Sequence, residues 1–211
     1  MLSDSVRIRF SKTGKLKYIS HLDLCRTFRS AFKRARIPIK YSEGFNPHPK
    51  MVFATTVSVG NESLCELLDI KITEPIKKDD FINALQSALT DDIKIIDAYR
   101  PESKFVDLKY ASYEITLQEK LPIIDADDLL SKPMIITKHS KKGDREEDII
   151  PLIKSVEFDG CLVKGVFSAC QSSFLGPDNF IKGLSGYLGK ELFALSAVRT
   201  EVFYEDMETF K

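Results

Sequence analysis

The chain has three histidines in 211 residues, His21, His48 and His139, and His48 stands between two prolines in the run Tyr41 to Lys50, YSEGFNPHPK. Pro47 and Pro49 fix their own φ and push Asn46 and His48 toward extended backbone. Gly44 permits the turn that leads into the arch. An imidazole on a stiff arch suits a phosphate or base contact, general acid–base transfer, or metal ligation. It equally suits a loop that is rigid only for packing. His21 falls in the first turn of a predicted helix, inside its apolar sector, where a histidine is either packed or a second proton carrier. If one phosphate lay between His21 and His48, the two would be candidate catalytic residues for metal-independent RNA cleavage, with an Arg or Lys stabilising the pentacoordinate phosphorus. His139 lies in the charged run KHSKKGDREED and is assigned no role.

The second feature is a row of cations. At 100° per residue from His21, the residues Cys25, Phe28, Phe32 and Ala35 fall within about 40° of one line and form the predicted buried stripe. Arg26, Arg29, Lys33 and Arg36 fall beside it, between about 60° and 140°. No acid follows them at helical spacing. Lys40 and Lys50 flank the arch, which carries Tyr41, Phe45, Asn46 and His48. Guanidinium forks match phosphate oxygens, and rings take unstacked bases. These ten side chains, from Arg26 to Lys50, are therefore the candidate nucleic-acid contacts. A solvated face and a docking surface for an acidic protein are the other readings of the same charges.

Other chemistries find little support. His21 and His48 have no Cys or acid at ligand spacing, so no metal is expected. No phosphate-cradling loop, nucleophile elbow or dinucleotide fingerprint is present, and no cofactor is expected. Cys25, Cys65, Cys161 and Cys170 form no CxxC and no iron–sulfur cluster motif; each sits in an apolar pattern, as buried thiols of a reducing compartment do. With no signal region and no apolar run of about 20 residues, a cytoplasmic address without membrane contact is expected.

The elements that must position these residues follow from periodicity. SVRIRF (5–10) alternates as a half-buried strand, and Ser20 with Asp23 caps a helix that stops before Pro38. MVFATTVSV (51–59) and LCELLDIKI (64–72) read as a hairpin around GNES. KDDFINALQSAL is a helix and IKIIDAY a strand. The order is that of a ferredoxin-like βαββαβ domain over residues 1–100. Residues 101–107 read as a linker. A decorated second copy fills 108–211: strands at 110–117, 133–139, 149–158, 161–169 and 197–204, helices at 125–130 and 176–188, and a charged loop at 140–148. The predicted fold is α+β, two tandem ferredoxin-like domains with antiparallel sheets.

The net charge of zero hides an asymmetry. Residues 1–60 carry 12 Lys or Arg against 3 Asp or Glu, and residues 61–211 carry 19 against 28. A basic quarter joined to an acidic remainder points to a polyanion or an acidic partner for the first domain.

The pieces RFSKTG, SHLDL, RARIP (34–38), YSEGFNPHP and the SVG-ES hairpin, spread over residues 7–73, together resemble the radical SAM-linked domain family, bacterial proteins fused to, or encoded beside, a radical SAM protein. The resemblance implies an accessory role to that enzyme, with the radical SAM protein as partner. It also implies a neighbourhood of ribosomal-protein and ribonuclease genes, and so an RNA or ribosomal component as target. Lacking the cluster cysteines, the chain is not itself the radical enzyme. Tandem ferredoxin-like domains look like CRISPR repeat-processing RNA endonucleases, an analogy of fold alone. The leading expectation is an accessory protein that binds RNA through the basic patch and the GFNPHP loop. A protein-only adaptor and the His21/His48 endoribonuclease are the alternatives.

Overall fold

The computed structural model describes residues 1–140, 143–170 and 172–211, with the side chains of all but 139 and 140. Lys141, Lys142, Gln171 and the imidazole of His139 lie outside the described residues. Among these the chain is mixed α+β, with antiparallel strands dominant and helices few. Among the described residues no helix is long and apolar enough to cross a membrane. The chain divides into two compact units, Met1–Phe105 with Lys211, and Val106–Phe210. The stretch 101–107, linker-like in composition, is thus shared out: 101–105 go with the first unit.

The first unit runs β1 (Ser5–Lys12), α1 (His21–Arg34), β2 (Met51–Phe53), β3 (Glu62–Lys71), α2 (Lys78–Ser87) and β4 (Ile93–Tyr99). Its strands lie in the order β4–β1–β3–β2, each neighbouring pair antiparallel. Val6, Ile8 and Phe10 of β1 are buried, as their alternation predicts, and meet Leu24, Phe28, Ala31 and Phe32 of α1 in one core. Phe28 stands edge-on to Phe10 at 4.7 Å and to Phe53 at 5.8 Å between ring centres. Removing a ring so enclosed costs about 3–5 kcal/mol. The apolar line of α1 runs through Leu24 and Ala31, and Cys25 and Ala35 are only half-buried. His21 is therefore exposed, its ring edge-on to Phe53 at 5.3 Å, and not inside the stripe as predicted.

Both ends of α1 have a chemical cause. The Ser20 hydroxyl accepts from the Asp23 N–H at 3.1 Å and donates to its carboxylate at 2.7 Å, the capping arrangement predicted. At the other end Ile37 N–H reaches Phe32 O at 3.1 Å and Arg36 N–H reaches Lys33 O at 3.3 Å. That closure needs a left-handed residue after the helix, a place usually held by Gly. Here it is Arg36, with φ of 53°.

The predicted strand 51–59 ends at Phe53. Ala54 still donates to Leu67, but the chain then leaves the sheet, and Gly60 N–H bonds Lys17 O at 2.8 Å instead. The short 3₁₀ helix Gly14–Tyr18 takes the place of the missing strand as partner.

The second unit contains β5 (Tyr110–Leu117), α3 (Ala126–Leu130), β6 (Ile135–Ser140), β7 (Gly143–Asp148), β8 (Ile153–Asp159), β9 (Leu162–Cys170), β10 (Ser173–Phe174), α4 (Pro177–Leu188) and β11 (Ala194–Phe203). Its order is β11–β5–β9–β8, all antiparallel, with β10 also on β9. Tyr113, Phe167 and Phe180 stack through the core. Strand β7 lies in the run predicted as a charged loop and pairs with β6 as a separate ribbon. Its residues GDREED are polar on both faces, so no period-two apolar signal marks it. The glycine that interrupts the α4 pattern is explained by packing: a Cβ on Gly183 would come within 2.6 Å of Met134 Sδ and Ile149 Cδ1.

Candidate nucleic-acid interface

The run Lys40–Lys50 folds as a tight hairpin. Its arms are joined by Ser42 N–H to His48 O at 2.8 Å and by Lys50 N–H to Lys40 O at 3.1 Å, with a bridge between Tyr41 and Pro49. Gly44 takes the turn at φ 117°. The Ser42 hydroxyl accepts the His48 backbone N–H at 3.1 Å and lies 3.1 Å from its Nδ1. That Nδ1 is also 3.3 Å from the Asn46 carbonyl, which can only accept. A proton on Nδ1 would serve both of these contacts. The arch is thus stiffened by Ser42 as well as by its prolines. At its tip Phe45 is fully exposed, and Tyr41 and Asn46 are exposed beside it.

The cations divide into spent and unspent. Arg7, from the strand face predicted to be solvated, is completely buried and gripped by Asp69. Arg26 donates to Asp23 one turn back at 3.0 Å, an acid that precedes the row. Ser20 first and Arg26 second hold the Asp23 carboxyl below its ordinary range. Lys17 meets Glu62 at 3.6 Å, and Arg34 is bonded to Ser30 and the Ala88 carbonyl. The side chains of Arg29, Lys33, Arg36, Lys40 and Lys50 are exposed and have no carboxylate partner among the described residues. By contrast Lys78, Lys132, Lys138 and Lys190 each meet an acid. The row follows the last turns of α1, passes its left-handed closure at Arg36 and continues into both arms of the hairpin.

Beside the hairpin the first unit holds a cavity of about 760 Å³. His48, Pro49 and Lys50 with Met51 and Val52 form one wall, and Arg100–Phe105 the other. The starts of β1 and ends of β3 supply the floor, including Asp69 and Lys71. Arg7 ties these parts together from beneath. Its Nε and Nη2 each donate to Asp69 at 2.7 Å, Nη2 also donates to the Ser103 carbonyl at 3.0 Å, and the guanidinium lies over the Phe105 ring at 4.3 Å. Lys71, Arg100 and Lys104 are cavity cations that sequence reasoning missed, since each stands alone among acids. Tyr99 pairs across the sheet with Arg7, and its hydroxyl is buried with no hydrogen-bond partner among the described residues. Burial first, opposed by Arg7 and Arg9, pushes that phenol up to about 12.

His21 lines a different, smaller cavity with Lys12, Ile19 and residues 56–59. Ser5 lines the cavity of His48 and Lys12 that of His21, and the seven residue steps of β1 from one to the other span roughly 20 Å. The two imidazoles thus line separate cavities. His21 Nε2 instead lies 3.5 Å from Cys25 Sγ, whose thiol is raised by burial, against the pull of Arg29. Among the described residues no three His, Cys, Asp or Glu side chains gather as a metal site would need.

A family model described as "Uncharacterized protein conserved in bacteria (DUF2344)" matches residues 5–177, from β1 to the start of α4. No curated protein matches the chain.

Proposed function

The chain belongs to this family of proteins conserved in bacteria, and from that premise we propose that it is an RNA-binding accessory protein whose contact surface is the row Arg29, Lys33, Arg36, Lys40 and Lys50 with the tip of the hairpin. The observation that carries this reading is that these five cations are exposed and, among the described residues, unmatched by carboxylates, while adjoining a hairpin tip whose aromatic ring is fully in solvent. Cations hold phosphates and the ring offers a base a stacking partner. Tyr41, Asn46 and the imidazole of His48 add base-edge or stacking contacts. Arg26, already bonded to Asp23, contributes less.

The accessory role, to a radical SAM enzyme as the motifs of residues 7–73 imply, is the finer part of the proposal. So is the architecture of two ferredoxin-like modules. Each unit supports it with the sequence βαββαβ and the strand order fourth–first–third–second, the second unit carrying the β6–β7 ribbon as an insert.

Fluorescence anisotropy of a labelled single-stranded RNA of mixed sequence, across a salt series, tests the binding. With five phosphate contacts the affinity falls with log salt at a slope of about −3.5. The R29E/K33E variant removes two of these, flattens the slope by about 1.4 and weakens binding at least about tenfold at low salt. Absence of any shift at 50 mM salt, or an unchanged R29E/K33E, refutes the reading. Purification of the native protein with a stoichiometric protein partner and no RNA supports the protein-only adaptor instead.

A further inference from the structure

The cavity beside the hairpin has a composition that the row of cations does not explain. We propose that it is a nucleotide pocket, which takes a single unstacked nucleotide of the bound RNA, base inward and phosphate at the rim; the assignment to RNA rests on the reading above.

Size comes first. At about 760 Å³ the cavity falls within the range of sites that enclose small organic ligands and exceeds what an inorganic anion needs. Its lining has two characters. Val52, Pro101 and Phe105 supply apolar surface for a flat ring, while Met51 and Ile70 turn their side chains to the core on the other face of the sheet. Lys50, Lys71 and Arg100 are exposed lining cations without a carboxylate partner among the described residues, and they suit a phosphate. Asp69 does not oppose them, because Arg7 neutralises it. Asp4 and Glu102 remain as acceptors. They would repel a polyphosphate, yet they suit the exocyclic amines of a base or the hydroxyls of a ribose. An apolar ligand would leave three cations idle, and a bare phosphate would leave the apolar wall wet. A nucleoside monophosphate unit uses both.

The pocket is also held open before any ligand arrives. Ser42 fixes His48 on one wall. Arg7 fixes the other through Ser103 and Phe105 while clamped to the floor by Asp69. Preorganised walls of this kind spare the ordering cost of binding. The route into the pocket begins where the RNA surface ends: Lys50 belongs both to the hairpin arm and to the lining.

The test uses the full chain and isothermal titration with AMP, GMP, CMP and UMP, with ribose 5-phosphate and inorganic phosphate as controls. At least one nucleotide is expected to bind about tenfold or more tighter than ribose 5-phosphate, the gain that base stacking supplies. K71E/R100E, confirmed as folded by its melting curve, is expected to lose that binding by about tenfold or more. R29E/K33E is expected to keep nucleotide affinity while losing RNA. No nucleotide binding, equal binding of ribose 5-phosphate, or an unaffected K71E/R100E overturns the pocket, whatever the RNA result. Nucleotide binding that K71E/R100E abolishes, in a protein that binds no RNA, supports the pocket and removes the RNA reading instead.

Discussion

Arg7 and Asp69 face each other on β1 and β3 and are joined by two parallel hydrogen bonds of 2.7 Å, the guanidinium fully buried and the carboxylate 27 % exposed. The inequality predicts an asymmetry. Asp69→Ala strands a charge that water cannot reach and costs about 3–5 kcal/mol. Arg7→Met leaves an acid at the edge of solvent and replaces the buried stem with an apolar one of similar reach, so it costs less. Urea denaturation of the two variants checks the order. Equal losses, or a larger one for Arg7→Met, would show that the pair does not work this way.

Arg36 holds a left-handed backbone at φ 53° that glycine adopts freely. Arg36→Gly therefore raises stability by about 1 kcal/mol through relief of that conformation. The same change removes a phosphate contact and flattens the salt dependence of RNA binding by about 0.7. A melting curve and a salt series on one variant read both signs.

Tyr99 gives a signature at alkaline pH. Its phenol is raised to about 12 by burial, from an ordinary 10.0. Between these values the unfolded chain loses the proton while the folded one keeps it, so the unfolded state binds fewer protons and stability falls as pH rises. Below about pH 10 the contribution is intact. Tyr99→Phe, which also removes a hydroxyl without a partner among the described residues, loses less stability from pH 10 to 12 than the parent in chemical denaturation at each pH. Tyr110 and Tyr187, also raised, leave a residual slope in both proteins.

Phe45 separates binding from folding. Its ring is fully exposed and packs on nothing in the core, so Phe45→Ala changes stability by no more than about 0.5 kcal/mol. On a single-stranded RNA it forfeits the stacking of one base, about 1–3 kcal/mol. Anisotropy and thermal melting of the same preparation settle both halves.

The apolar periodicities of β1, α1, α2 and β4, and the Ser20 cap, were legible because each element buries one continuous face. Strand β7 was not, since a ribbon polar on both sides has no such face. The false extension of β2 to residue 59 has a similar origin. ATTVSV alternates as a strand should, but Gly60 is drawn to a carbonyl of the 3₁₀ turn, a tertiary contact that no local pattern encodes. Charge spacing marked Arg29, Lys33 and Arg36, and all three are exposed without a carboxylate partner among the described residues. It also marked Arg26, whose acid lies one turn upstream at Asp23. Lys71, Arg100 and Lys104 escaped notice because the cavity collects them from a strand end and a segment that composition marks as linker. His21 was set among buried residues by helical angle alone, which does not say where along its axis a helix leaves the core.

The Ser42–His48 clasp closes the arch at its base, so that residues 43–47 project beyond it and belong to no core. Such a tip is an exchangeable cartridge. Side chains at 43–47 can be exchanged without unsettling the sheet below, so under the RNA-binding proposal the contacts of the tip can be altered on an unaltered mount.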